Sequence, residues 1–144
     1  PVTQAILAEQ SPDKTGLDFG AGPGPVISHQ LTQKGYQITL YDPFFHNNIN
    51  ALNDKYDFII SCEVIEHFHQ PVLEFARLRA LLKPGGSLYC MTDLFLETVD
   101  FANWYYKNDP THVFFYHIDS LPLITERFGF SSYRQSGRLI VFSV

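Results

Sequence analysis

The chain has 144 residues, 45% hydrophobic and 15% aromatic, with a formal net charge of −5. That length suits one domain over residues 1–144 with a sizeable core, and the composition excludes a disordered chain. The acid excess argues against binding to phosphate backbones or anionic membranes, and no apolar run approaches the roughly 20 residues of a bilayer span.

Val2–Gln10 reads as a short helix within a lead-in over residues 1–14, broken by Ser11-Pro12-Asp13. Gly16–Phe19 is a short apolar strand that breaks into Gly20-Ala21-Gly22-Pro23-Gly24, and the amphipathic segment Val26–Lys34 follows at once. A strand, a glycine loop and a helix N-terminus make a nucleotide-type binding corner. Glycine permits positive φ and close approach of a ligand, and the first helical turn offers unpaired N–H groups. A plain structural turn would also favour these glycines.

Gln37–Tyr41 alternates and is β-branched, as a strand requires, with Asp42 at its end. An acid roughly 20 residues beyond such a loop stands where a ribose-hydroxyl acceptor belongs in a βαβ unit. Asp42-Pro43 equally fits a turn, and the two roles are compatible. Phe44–Lys55 is a polar loop with a very short strand expected around Asn48–Asn50, and His46 is close enough to Asp42 to be a minor candidate.

Tyr56–Cys62 is nearly continuous in apolar residues, the pattern of a central parallel strand covered on both faces. Pro71–Leu82 is a helix with Pro71 in its first turn and an expected apolar face of Val72, Phe75, Ala76, Leu78 and Leu82. Lys83-Pro84-Gly85-Gly86 stops it, and Ser87–Thr92 is another buried strand. Cys62 and Cys90 fall in these strands and read as reduced core thiols. The N-terminus lacks the basic and apolar regions of a secretory leader, so a cytoplasmic setting is expected.

The aromatic stretch from Phe101 to His117 contains Trp104, Tyr105 and Tyr106, which suit either a face for a planar acceptor or core filling under a loop. Asp119 caps a helix to Arg127 that ends at Gly129, and Ser131–Arg134 with Leu139–Ser143 form a hairpin. Alternating strands and helices mean a doubly wound, mostly parallel α/β sheet, with an antiparallel strand from the hairpin near one edge.

Taken in order, Asp18-x-Gly20-x-Gly22-x-Gly24, Asp42, Tyr56-Asp57, Glu63-Val64-Ile65-Glu66-His67 and Leu82-Lys83-Pro84-Gly85-Gly86 resemble the S-adenosylmethionine-dependent methyltransferases of the Rossmann-like class. The terminal hairpin matches that family's reversed last strand. The resemblance implies S-adenosylmethionine as cofactor, with Asp18, Gly20, Ala21, Gly22 and Gly24 near its methionine part. It implies that Asp42, flanked by Tyr41 and Pro43, holds the ribose, and that Ser61, Cys62 and Glu63 line the methionine side. Two departures stand out. The region between the second and central strands is too short for the usual helix, leaving Asn48 and Asn50 as candidates for the adenine amine. Little chain precedes the first strand, so the site is expected to be open, or closed by a partner or by further chain.

If a turn of helix begins after Cys62, then Glu63, Glu66 and His67 stand at i, i+3 and i+4 at the C-terminal end of the central strand. Two carboxylates and an imidazole there call for a shared proton or a cation. Oxygen ligands with one imidazole suit Mg²⁺ or Mn²⁺, with Zn²⁺ competing. The same Glu-x-x-Glu-His occurs in metal-dependent relatives, the small-RNA 2′-O-methyltransferases and the ubiquinone-pathway O-methyltransferases. In the RNA enzymes a downstream histidine followed by aromatics completes the site, and His112 before Val113-Phe114-Phe115 fits that position. The metal-free alternative makes Glu66-His67 pocket wall.

The expected activity is methyl transfer to an oxygen, nitrogen or carbon of a small-molecule acceptor, with His112 or His67 taking a proton where one must leave. A nucleic-acid acceptor is not expected, because 10 basic residues face 15 acidic ones without a Lys/Arg cluster. Two alternatives remain, an NAD(P)-dependent oxidoreductase domain and a non-catalytic cofactor-binding module. Asp18, the Glu63–His67 block and the reversed strand fit the oxidoreductase poorly. The sequence carries no signature of oligomeric state.

Overall fold

Thr15–Phe19 (β1) pairs in parallel with Gln37–Tyr41 (β2) on one side and with Tyr56–Cys62 (β3) on the other. On the far side of β3 lies Leu82–Met91 (β4), also parallel. Ser132–Ser136 (β5) and Leu139–Ser143 (β6) form the hairpin, and β6 runs antiparallel to both β4 and β5. The computed structural model describes all 144 residues, and its sheet order is β2-β1-β3-β4-β6-β5. This is the doubly wound, mostly parallel α/β architecture expected from the alternation of elements.

Phe58, Ile59 and Ile60 of β3 are fully buried, because helices cover both faces of the central strands. Val2–Glu9 (α1) and Val26–Thr32 (α2) cover one face, packing Val2, Ile6 and Leu31 with Phe58, Ile60 and Tyr89. Pro71–Leu81 (α3) and Ser120–Phe128 (α4) cover the other, where Phe75, Leu78 and Leu121 join Leu17, Ile59, Leu88 and Phe142. No helix is long and apolar enough to cross a membrane.

Three expectations change. Asn48–Asn50 forms no strand; Ile49–Leu52 is a 3-10 turn anchored by buried Ala51, whose carbonyl accepts from the Tyr56 hydroxyl at 2.9 Å. With no third strand, β2 is an edge. The buried face of α3 is Phe75, Leu78 and Leu81 continuing to Leu82, while Val72 and Ala76 are exposed. Docking against the sheet selects the 75/78/81 stripe and rotates Val72 outward. Finally, β4 starts at Leu82 rather than after the glycines. Gly86 allows this, since a Cβ there would come within 2.9 Å of the Asp57 carbonyl.

Candidate functional site

The C-terminal ends of β1, β2 and β3 open onto a cleft of about 720 Å³, within the range of roughly 300–1,000 Å³ typical of small-molecule sites. Its glycine wall is set by backbone geometry. Gly20 and Gly22 have φ of 84° and 63°, where an L side chain is strained, and a Cβ on Gly20 would meet Val64 at 2.4 Å. The N–H groups of Gly20 and Ala21 donate to the Tyr41 carbonyl at 2.8 and 3.2 Å, which fastens the loop to the end of β2.

Asp42 lies where those two strand ends meet. Its carboxylate accepts from the Gly22 N–H at 3.0 Å, the Phe44 N–H at 2.9 Å and the Phe45 N–H at 3.1 Å. A carboxylate has about four acceptor positions, so Asp42 shapes the loop and retains capacity for a ligand hydroxyl. Asp42 also bridges His46 through paired backbone hydrogen bonds at 3.0 and 3.1 Å.

Of the expected cofactor contacts, Gly20, Gly22, Tyr41, Asp42, Pro43 and Glu63 line the cleft, whereas Asp18, Ala21, Gly24, Ser61 and Cys62 do not. Asp18 is only 5% exposed and accepts from the Ser28 hydroxyl, tying β1 to α2, and burial raises its carboxyl pKa against that bond. Ser61 is fully buried and Ala21 nearly so. Burial pushes the Cys62 thiol up to about 12. Asn48 and Asn50 are also absent from the lining.

Glu63 is the one non-glycine residue with positive φ, 55°, and its N–H donates to the Met91 carbonyl at 2.8 Å. Its carboxylate pairs with the Arg138 guanidinium at 2.5 Å, and burial raises its pKa although Arg138 pulls it down. Glu63 therefore does not join Glu66 and the histidines, contrary to the four-residue set expected from the motif. Arg138, from the β5–β6 turn, had no local signal linking it to Glu63.

Glu66 is fully buried, with its carboxylate accepting from the Tyr106 hydroxyl and from the Thr92 hydroxyl at 3.1 Å. Its backbone carbonyl accepts from the N–H groups of Val113 and Phe114, each at 3.0 Å, drawing the aromatic segment onto the end of β3. That segment divides as core and surface: Trp104 and Tyr106 are buried, while Tyr105 is exposed. The fold brings His67 and His112 together, with ring centroids 4.9 Å apart. The His67 Nδ1–H donates to the Thr111 carbonyl at 2.9 Å, and the His112 Nδ1–H to the Tyr106 carbonyl at 2.7 Å. Both rings keep a free Nε2, and one ligand atom each from Glu66, His67 and His112 lies within 4.8 Å of the others.

Residues 1–135 match the methyltransferase-domain family. A ubiquinone biosynthesis O-methyltransferase of Cereibacter sphaeroides is 30% identical over 86 residues, which is 60% of this chain and 34% of that protein. The chain thus spans about a third of that relative's length. Among solved structures, the 1,6-didemethyltoxoflavin-N1-methyltransferase of Burkholderia thailandensis, holding 1,6-didemethyltoxoflavin and S-adenosylhomocysteine, superposes with a TM-score of 0.70 at 16% identity. It covers 99% of this chain and 75% of that one. The phosphoethanolamine N-methyltransferase 2 of Haemonchus contortus, in complex with S-adenosylmethionine, gives 0.68 at 19% identity, covering 92% and 37%. The fold, the glycine corner and the match across residues 1–135 agree: the chain belongs to the methyltransferase-domain family and has its Rossmann-like fold.

Proposed function

We propose that the chain binds S-adenosylmethionine in the cleft at the ends of β1 and β2 and transfers its methyl group to a small-molecule acceptor. The observation that carries this reading is the joining of left-handed Gly22 to the Asp42 carboxylate at the cleft wall. Glycine leaves the backbone bare for a ligand, and the carboxylate supplies the acceptor that a ribose diol needs. S-adenosylmethionine supplies an electrophilic methyl on a sulfonium. The chain's part is to hold donor and acceptor in line and to exclude water.

His67, which lines the cleft, serves as the base for an acceptor hydroxyl, with the His112 ring beside it, since each donates at Nδ1 and keeps Nε2 free to take a proton. The same residues suit a cation. A ligating imidazole ordinarily donates its other N–H to a carbonyl or carboxylate, and both histidines do so here. With Glu63 held by Arg138, the donor set becomes one carboxylate and two imidazoles from Glu66, His67 and His112. That set suits Zn²⁺ or a first-row transition ion such as Mn²⁺ better than Mg²⁺. A cation there would lower the pKa of an acceptor hydroxyl.

The acid excess supports a small acceptor over nucleic acid. The unpaired Cys62 and Cys90, in β3 and β4, suit a reducing, cytoplasmic setting. Calorimetry with S-adenosylmethionine, S-adenosylhomocysteine and NAD tests the cofactor; binding of the first two and not the third is expected. NAD binding alone would turn the reading to an oxidoreductase. Tight S-adenosylhomocysteine binding without turnover on an acceptor panel would leave a cofactor-binding module.

A further inference from the structure

Beyond Asp42 the cleft runs to a face of α3 that the core does not use. Gln70, Leu73, Glu74 and Arg77 line it, spaced i, i+3, i+4 and i+7, whereas Phe75, Leu78 and Leu81 point into the core. Between β2 and β3 the chain forms only the 3-10 turn Ile49–Leu52, and β2 is an edge strand of the sheet. We propose that this stripe of α3 reads the adenine base, Glu74 accepting from the 6-amino group and Arg77 donating to N1. The inference rests on the reading that the cleft binds S-adenosylmethionine.

The chemistry of the pair matches the edge of the base. Adenine presents an amine donor beside a ring-nitrogen acceptor, so its reader must place an acceptor beside a donor. Arg77 Nη1 donates to both Glu74 carboxylate oxygens, at 2.8 and 3.1 Å, which holds the two groups side by side. Their pairing does not exhaust them. The carboxylate has lone pairs to spare and the guanidinium has five donors. Both side chains retain access to solvent, at 23% exposure for Glu74 and 45% for Arg77.

The walls match the faces of the base. Phe44 and Leu73 both line the cleft yet are 86% and 59% exposed. A planar purine placed against them would remove apolar area from water and meet the Phe44 ring with a π-face. The amides that follow Asp42 in sequence, Asn48 and Asn50, do not line the cleft, so α3 supplies the polar contact in their place.

An exposed i,i+3 ion pair contributes little to folding, so its removal should register in ligand affinity rather than in stability. The test is a double-mutant cycle read by calorimetry. It sets wild type and Glu74→Ala against S-adenosylhomocysteine and its purine analogue lacking the 6-amino group, with Arg77→Met as a second variant. Wild type should prefer S-adenosylhomocysteine about tenfold, the size of one good hydrogen bond. Glu74→Ala should lose that preference while binding the analogue as wild type does, and Arg77→Met should weaken both ligands. Thermal melting should leave both variants within a degree or two of wild type. If S-adenosylhomocysteine binds and responds to Asp42→Ala but not to Glu74 or the 6-amino group, this inference alone is overturned. If wild type binds no S-adenosylhomocysteine, the cofactor reading falls and takes the inference with it.

Discussion

Gly22 donates its N–H to the Asp42 carboxylate at 3.0 Å, across a separation of 20 residues, and this bond joins the two loops that wall the cleft. Asp42 is 7% exposed and also accepts from Phe44 and Phe45, so one side chain both holds the loop and lines the cleft. Asp42→Ala should weaken S-adenosylhomocysteine binding by about 1.5–3 kcal/mol, the scale of charged hydrogen bonds lost. It should also destabilise the fold by about 1–2 kcal/mol, because three N–H groups lose their acceptor. Calorimetry and urea unfolding separate the two effects. Unchanged affinity would move the ribose away from Asp42.

The glycines of the loop should not respond alike to alanine. At Gly20 the new Cβ would sit 2.4 Å from Val64 at φ 84°, so Gly20→Ala should cost about 2–4 kcal/mol. Gly22 has open space but φ 63°, and only the backbone strain applies, about 1–2 kcal/mol. Gly24 has neither a neighbour within 4 Å nor positive φ, so Gly24→Ala should stay within about 0.5 kcal/mol. Chemical denaturation of the three variants gives the ranking, and equal costs would refute the backbone argument.

Local patterns in the sequence carry the strands, the glycine corner and the hairpin, because periodicity and turn residues act over a few positions. Asp42 is legible for the same reason, being placed by its strand end. The Asn48–Asn50 segment misleads: Ala51 and Tyr56 anchor a 3-10 turn there, while Ile49 stays exposed. The face of α3 is set by docking against the sheet, which helix periodicity alone does not specify when Val72 and Ala76 are also apolar. Glu63 is diverted by Arg138 from 75 residues away, and Glu66 is met by Tyr106 from 40 residues away. No short motif encodes contacts of that range. They appear only once β6 and the aromatic segment close over the ends of β3 and β4.

The opposite end of the sheet predicts an acid-labile contribution to stability. Burial acts to raise the Asp57 carboxyl, but Lys83 at 2.8 Å and both donors of Thr15 outweigh it and hold the pKa at about 2. The folded value lies below the unfolded value near 3.9, so the stabilisation is full above pH 4 and is lost as pH falls toward 2. Asp57→Asn should cost about 1–2 kcal/mol at pH 7, less than the full shift implies because Lys83 is 39% exposed. The gap to wild type should close by pH 2. A gap that persists unchanged at pH 2 would mean that packing, not charge, makes the difference.

The histidine pair gives the sharpest test of a cation. Glu66 is fully buried, its only polar side-chain partners being the Tyr106 and Thr92 hydroxyls, and the nearest cationic candidate is His112 Nε2 at 4.0 Å. A divalent ion would neutralise that carboxylate and use both free Nε2 atoms, stabilising the fold by RT ln(1 + [L]/Kd), about 2.7 kcal/mol at 100 times Kd. Zn²⁺ and Mn²⁺ should therefore raise the melting temperature, and Mg²⁺ should do so least, because two of the three donors are imidazoles. His112→Ala should abolish the rise while leaving S-adenosylhomocysteine affinity nearly intact, since His112 does not line the cleft at Gly22 and Asp42. If none of the three ions moves the melting temperature, Glu66 is a structural anchor for the aromatic segment. Glu66-His67 is then wall of the site, and the proposed methyl transfer rests on alignment within the cleft.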